Sequence, residues 1–135
     1  MISYARYVLV LFCALSIATC ASSGSAPSTI RQQQTSNGVS IILERATEPK
    51  LNQAQAFTIR LLDSTQAPIE GANVYLDLTM PADPMGTNRP IATPQGAGVY
   101  TAQSAFIMVG EWAITVVANV NGTEHRVVFA ATVTH

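Results

Sequence analysis

Residues 111–133 read EWAITVVANVNGTEHRVVFAATV. On the first half of this stretch Trp112, Ile114 and Val116 alternate with smaller or polar residues, and on the second half Val127, Phe129 and Ala131 do the same. Alternation with period two marks a strand that buries one face. Between the halves stands Asn121-Gly122, a pair that tolerates the positive φ angles of a two-residue type I′ hairpin turn. A two-residue turn fixes register, so Val120 is predicted to face Thr123, Val116 to face Val127, Ile114 to face Phe129 and Trp112 to face Ala131. Turn chemistry and hydrophobic phase thus give the same hairpin by independent rules. The turn also accounts for Asn121-Gly122-Thr123, which fits a glycosylation sequon.

The same period recurs upstream. Phe57, Ile59 and Leu61 are apolar while Thr58 and Arg60 face outward, and Val74, Leu76, Leu78 and Met80 share one phase. After the tether, no stretch shows a convincing helical period. Turns are marked by Pro49, by Ser64–Pro68 with Gly71, and by Gly96 and Gly98. Candidate strands are Val39–Arg45, Ala54–Asp63, Ala72–Met80, Gly98–Ser104, 111–120 and 123–133. The expected fold is all-β, an immunoglobulin-like β-sandwich of about seven strands. Trp112 is expected in its core, with the indole N–H seeking an acceptor.

The chain opens differently. Arg6 precedes an apolar run from Tyr7 to Ala18, followed by Ile17-Ala18-Thr19-Cys20 and then polar residues from Ser22. A positive n-region, a short apolar core and small residues before a cut make a secretory signal. A cysteine in that place resembles a bacterial lipobox, whose cysteine is acylated and becomes the first mature residue. The alternatives are an ordinary signal cut near Ala21–Ser23 and an uncleaved anchor, for which the run is short. Ala21 in place of Asp leaves the outer membrane open as destination. The organisation expected is a signal peptide over 1–19, a lipidated Cys20 with a flexible Ser/Thr/Gln-rich linker over 20–37, and the sandwich over 38–135. The polar linker lacks the apolar residues needed to offset chain entropy. Cys13 would leave with the signal and Cys20 would carry lipid, so the mature domain would have no thiol for a disulfide, a zinc site or a nucleophile.

Charge excludes one class of partner. Of seven Arg and Lys only Arg6 precedes Cys20, leaving six against eight Asp and Glu. No basic cluster forms, so nucleic acid is not expected as a partner. Enzymatic activity is not expected either: no Ser, His and acid motif occurs, Asp77 and Glu111 are expected to face solvent, and Asp83 to serve a turn.

One segment carries a family resemblance. Gly71-Ala72-Asn73-Val74, Met80-Pro81, Met85-Gly86, Gly98-Val99-Tyr100, Phe106-Ile107-Met108 and Gly110-Glu111-Trp112 follow one another in an order that resembles the YtkA-like family, related to FixH-like domains. Two departures stand out. Ala82-Asp83-Pro84 stretches the Met-Pro spacing, and Thr87-Asn88 stand where many members place a His. The resemblance implies an extracytoplasmic immunoglobulin-like domain, in company with copper or cytochrome-oxidase proteins.

Two candidate sites follow. Thioethers are soft ligands suited to Cu(I), so Met80, Met85 and Met108 with His125 could form a copper set. Against this, Met80 and Met108 share phase with core residues, and His125, beside the turn, reads as a surface or strand-end histidine. The second candidate is the stretch Pro81–Gln95, read as a loop stiffened by Pro81, Pro84, Pro90 and Pro94, with Pro81, Pro84, Met85, Arg89 and Pro90 as a partner-contact surface. The function expected is that of a membrane-anchored extracytoplasmic lipoprotein with a non-catalytic interaction domain. Its partners would be membrane lipid through the anchor and an envelope protein. The alternative is copper handling, or assembly of an oxidase or transporter.

Overall fold

The computed structural model describes residues 26–135, without the side chains of residues 84–87. The segment expected to be a signal peptide, Cys13 and Cys20 therefore lie outside the described residues. Among the described residues nine strands follow in chain order: β1 (Thr29–Ser36), β2 (Val39–Ala46), β3 (Ala54–Leu62), β4 (Asn73–Met80), β5 (Asp83–Asn88), β6 (Thr93–Gly96), β7 (Val99–Ala105), β8 (Gly110–Val120) and β9 (Thr123–Val133). They form two antiparallel sheets, ordered β1-β2-β3-β7-β6 and β5-β4-β8-β9. The strand order β2-β3-β7-β6 against β4-β8-β9 is the immunoglobulin arrangement of four strands facing three, with β1 and β5 added at the sheet edges.

The hairpin of β8 and β9 has the predicted register: Val120 pairs with Thr123, Val116 with Val127, Ile114 with Phe129 and Trp112 with Ala131. Asn121 and Gly122 hold φ of 50° and 83°. The inward residues of both sheets meet in one core, with Ile59, Leu61, Leu76, Leu78, Ile114 and Val116 wholly buried. Phe106 joins its aromatic members, lying edge-on to Phe57 at 6.1 Å and to Trp112 at 5.2 Å between ring centres. Offset and edge geometries of this kind add to the area term. The Trp112 indole donates to the Met108 carbonyl at 3.0 Å, which supplies the expected acceptor.

Two segments depart from the sequence reading. The first is the linker expected over 20–37, of which Thr29–Ser36 is strand β1, paired along its whole length with β2 from Thr29↔Ala46 to Ser36↔Val39. Its inward phase is Ile30, Gln32, Gln34 and Ser36, one apolar residue followed by polar ones, so it has no hydrophobic alternation to betray it. It is held instead by the neighbouring sheet: Gln34 Nε2 donates to the Val128 carbonyl of β9. The turn that creates the strand is Asn37-Gly38, with φ of 47° and 81°. The second is Pro81–Gln95, which is not an open loop. Pro81-Ala82 turn the chain into β5, and residues 90–92 keep to the β4 edge through Leu76 N–H to Pro90 O (3.0 Å) and Ala92 N–H to Val74 O (2.9 Å). The chain then crosses to the other sheet as β6. Proline lacks a donor but keeps an acceptor, so it fits an edge of this kind.

Register also defines two ends. One carries the turns 37–38, 97–98 and 121–122. The other carries Ser28, the β2–β3 connection, the β4–β5 turn, the 106–109 connection and the end of β9. At this second end Thr47 N–H bonds Ser28 O at 2.8 Å, Asn52 N–H bonds Phe106 O at 2.8 Å and Leu51 N–H bonds Thr134 O at 3.1 Å.

Candidate functional site

The four proposed copper ligands do not converge. Met80 closes β4 and Met108 lies in the 106–109 connection, both half-buried against the core at the second end. Met80 also approaches Gly110: a Cβ added there would lie 3.1 Å from Met80 Cε. Met85 belongs to β5, which pairs Met80↔Asp83 and Leu78↔Asn88 with a bulge between. Its side chain lies outside the described ones. His125 sits at the opposite end, opposite Ala118. Gly110 and Ala118 are eight residues apart on β8, or ~26 Å, so His125 leaves the set.

Nor is His125 a surface histidine of a strand end. It is 5 % exposed, and its Nδ1 lies 2.9 Å from the Ser36 carbonyl. It shares the inward phase of Val127 and Phe129, and β1 covers it. Without β1 in view the residue looks peripheral, so the two errors have one cause. A buried polar seam runs along this side. Arg45 points inward from β2 and donates to Ala46 O and Ala130 O, both at 2.8 Å, while its Nε and the Oε1 of Gln32 find no protein partner. Burial lowers the Arg45 pKa from its ordinary value.

Asp77 is likewise buried rather than turned to solvent. It lies on the outer face of β4, where Arg89 folds over it with Nε and Nη2 each 3.1 Å from Oδ2. Glu111 is exposed as expected and accepts from Thr132 Oγ1 at 2.6 Å. Asp83 is exposed where β5 leaves the turn. Among the described residues no group of three His, Cys, Asp or Glu could hold a metal ion.

Of the proposed contact residues, Pro81 and Arg89 are exposed, Pro90 is half-buried in its β4 pairing, and the Pro84 and Met85 side chains lie outside the described ones. Among the described side chains of this segment, the apolar one that protrudes is Ile91, 81 % exposed. It borders a groove of about 430 Å³ lined by Val74, Tyr75, Ala92 and Pro94. Sequence reading missed it because Ile91 stands alone among prolines and fits no alternation. A second protruding pair, Ile107 (66 % exposed) and Val109 (39 %), was legible. If Phe106 and Met108 face inward, their neighbours must face out.

Comparison with curated proteins finds no match. The YtkA-like family model matches residues 33–117, more than half of the chain, from within β1 to within β8. The segments quoted for the resemblance therefore lie inside that match, on β4, β5, β7, β8 and their connections, and the chain belongs to the YtkA-like family.

Proposed function

We propose that the chain is an extracytoplasmic lipoprotein acylated at Cys20, and that its YtkA-like domain is a non-catalytic module that binds an envelope protein through the crossing segment of β5 and β6. One observation carries the contact face: Ile91 is the most exposed of the large apolar side chains named among the described residues, and it stands beside an apolar-lined groove. An exposed apolar anchor next to a groove is how interfaces are seeded. The Ile17-Ala18-Thr19-Cys20 sequence supports the anchor, and the lack of a nucleophile–base motif supports a binding role. The test places a photo-crosslinking residue at 91 or, as control, at the exposed Arg126. A discrete adduct is expected at 91 alone; equal capture at both, or capture at neither, rejects this face. Fatty-acid labelling of cells, lost in Cys20→Ala, checks the anchor separately.

Copper handling is kept as a second reading, because Met80 and Met108 are both half-buried at one end of the sandwich and Met85 belongs to the strand paired with Met80. Anaerobic Cu(I) titration against a competing chelator tests it. Met85→Leu should weaken Cu(I) binding without changing stability, since Leu keeps the volume and loses the sulfur. His125→Gln should leave Cu(I) affinity unchanged.

A further inference from the structure

We propose that the end of the sandwich carrying Ile107 and Val109 rests on the lipid bilayer, with these two side chains entering its interface. The inference rests on the lipoprotein reading of Cys20.

The length of chain between Cys20 and the fold carries the argument. With 20–37 as a linker the domain would hang on seventeen or so residues. Ser28, however, is already tied to Thr47, so at most eight residue steps separate Cys20 from the fold. Eight steps span at most ~28 Å even when fully extended. That is shorter than the sandwich is long, ~36 Å for the eleven residues of β8. The tether also leaves from a defined place. Register puts Ser28 at the same end as Phe106, Thr134 and the β4–β5 turn. The domain is therefore held with that end towards the lipid.

This end has the chemistry an interface accepts. Ile107 and Val109 point outward from one short connection, and Leu51, Met80 and Met108 sit half-buried behind them. Two exposed apolar side chains next to each other on the end from which the tether leaves form the small apolar patch that a shallow interface contact needs. The described charges nearby are the exposed Glu48, Asp83 and Glu111 against Lys50. Contact would thus be apolar rather than electrostatic, favouring neutral over anionic lipid and resisting salt.

The full chain is purified from membranes and reconstituted in phosphatidylcholine vesicles. Ile107→Cys and, at the opposite end, Thr123→Cys each carry an environment-sensitive thiol dye. Both positions are exposed, so folding is undisturbed. The expected result is a blue-shifted emission at 107 that nitroxide-labelled lipid quenches, with neither effect at 123, and weaker quenching at 107 when anionic lipid is added. Equal responses at the two positions, or a dye in water at 107 on vesicle-bound protein, overturn the proposal alone and leave Ile107 to a protein partner. The unsubstituted chain separates the anchoring question. Acylated Cys20 takes no dye, so dye uptake by that chain with failure to float with vesicles overturns the lipoprotein reading and this proposal together.

Discussion

At one end of the sandwich three connections take two residues each: Asn37-Gly38, Ala97-Gly98 and Asn121-Gly122. All six residues hold positive φ, from 47° to 83°. That end also carries the longer 63–72 connection. At the other end, beside the short Pro81-Ala82 turn, lie the 47–53 and 106–109 connections, with Met80 and Met108 half-buried and Ile107 and Val109 exposed. The first end is specified by backbone chemistry and sets register. The second is specified by packing, and its surplus apolar side chains are left for a surface outside the domain. The comparison teaches that turns which fix a fold and loops which offer contacts need different residues, and this chain separates them by the length of the sandwich.

The packed end should be the easier to break. Trp112→Ala removes a ring that is stacked edge-on to Phe106 and bonded to Met108, and should cost about 3–5 kcal/mol in denaturant unfolding. A cost below about 1 kcal/mol would mean that the ring does not hold this end together.

Within the turn end the three glycines should differ. At Gly98 a Cβ would meet Leu61 O at 2.8 Å and Pro68 Cβ at 2.9 Å, whereas Gly122 has nothing within 4 Å. Gly98→Val combines a backbone clash with left-handed strain and should cost about 2–4 kcal/mol. Gly122→Ala carries the strain alone and should cost about 1–2 kcal/mol. Equal losses would show that space plays no part at Gly98. In the other direction, Ala97 occupies a left-handed position without being Gly or Asn. Ala97→Asn should raise stability by about 0.5 kcal/mol, read as a higher unfolding midpoint.

The smallest effect is one of pH. Asp63, in the β3–β4 connection, accepts from the Thr65 hydroxyl and from the N–H groups of Thr65 and Ala67. These bonds, the hydroxyl first, hold its carboxyl below the usual carboxylate range. A depressed folded pKa gives stability that is present above the unfolded value and lost as pH falls through the folded one. The stability gap between wild type and Asp63→Asn should therefore shrink on acidification below the ordinary Asp range. A gap constant with pH would assign the loop to its backbone bonds alone.

How much was legible varied with the kind of signal. In the β8–β9 hairpin, side-chain phase and turn chemistry could be read together, and every pairing followed. Asn37-Gly38 carried the same turn signal, but the preceding Thr-Ile-Arg-Gln-Gln-Gln-Thr-Ser offers no alternation, and composition alone makes it a tether. Apart from Ile30, the side chains of its inward phase are glutamine and serine; Gln34 bonds the β9 backbone, and the Ser36 carbonyl meets the His125 ring. The candidate site fared likewise. Its methionines were visible as residue types, but their division from His125 required the length of β8.

By itself the sequence determined the sandwich, its last hairpin, the inward phase of the core and the family, because burial repeats every second residue and type I′ turns demand particular residues. Only tertiary structure decided that β1 completes one sheet, that His125 and Asp77 are covered, and that Ile107 shares an end with the start of the fold. Each of those depends on a partner far along the chain, bonded through main-chain groups or long polar side chains that any sequence supplies, so no local pattern records it.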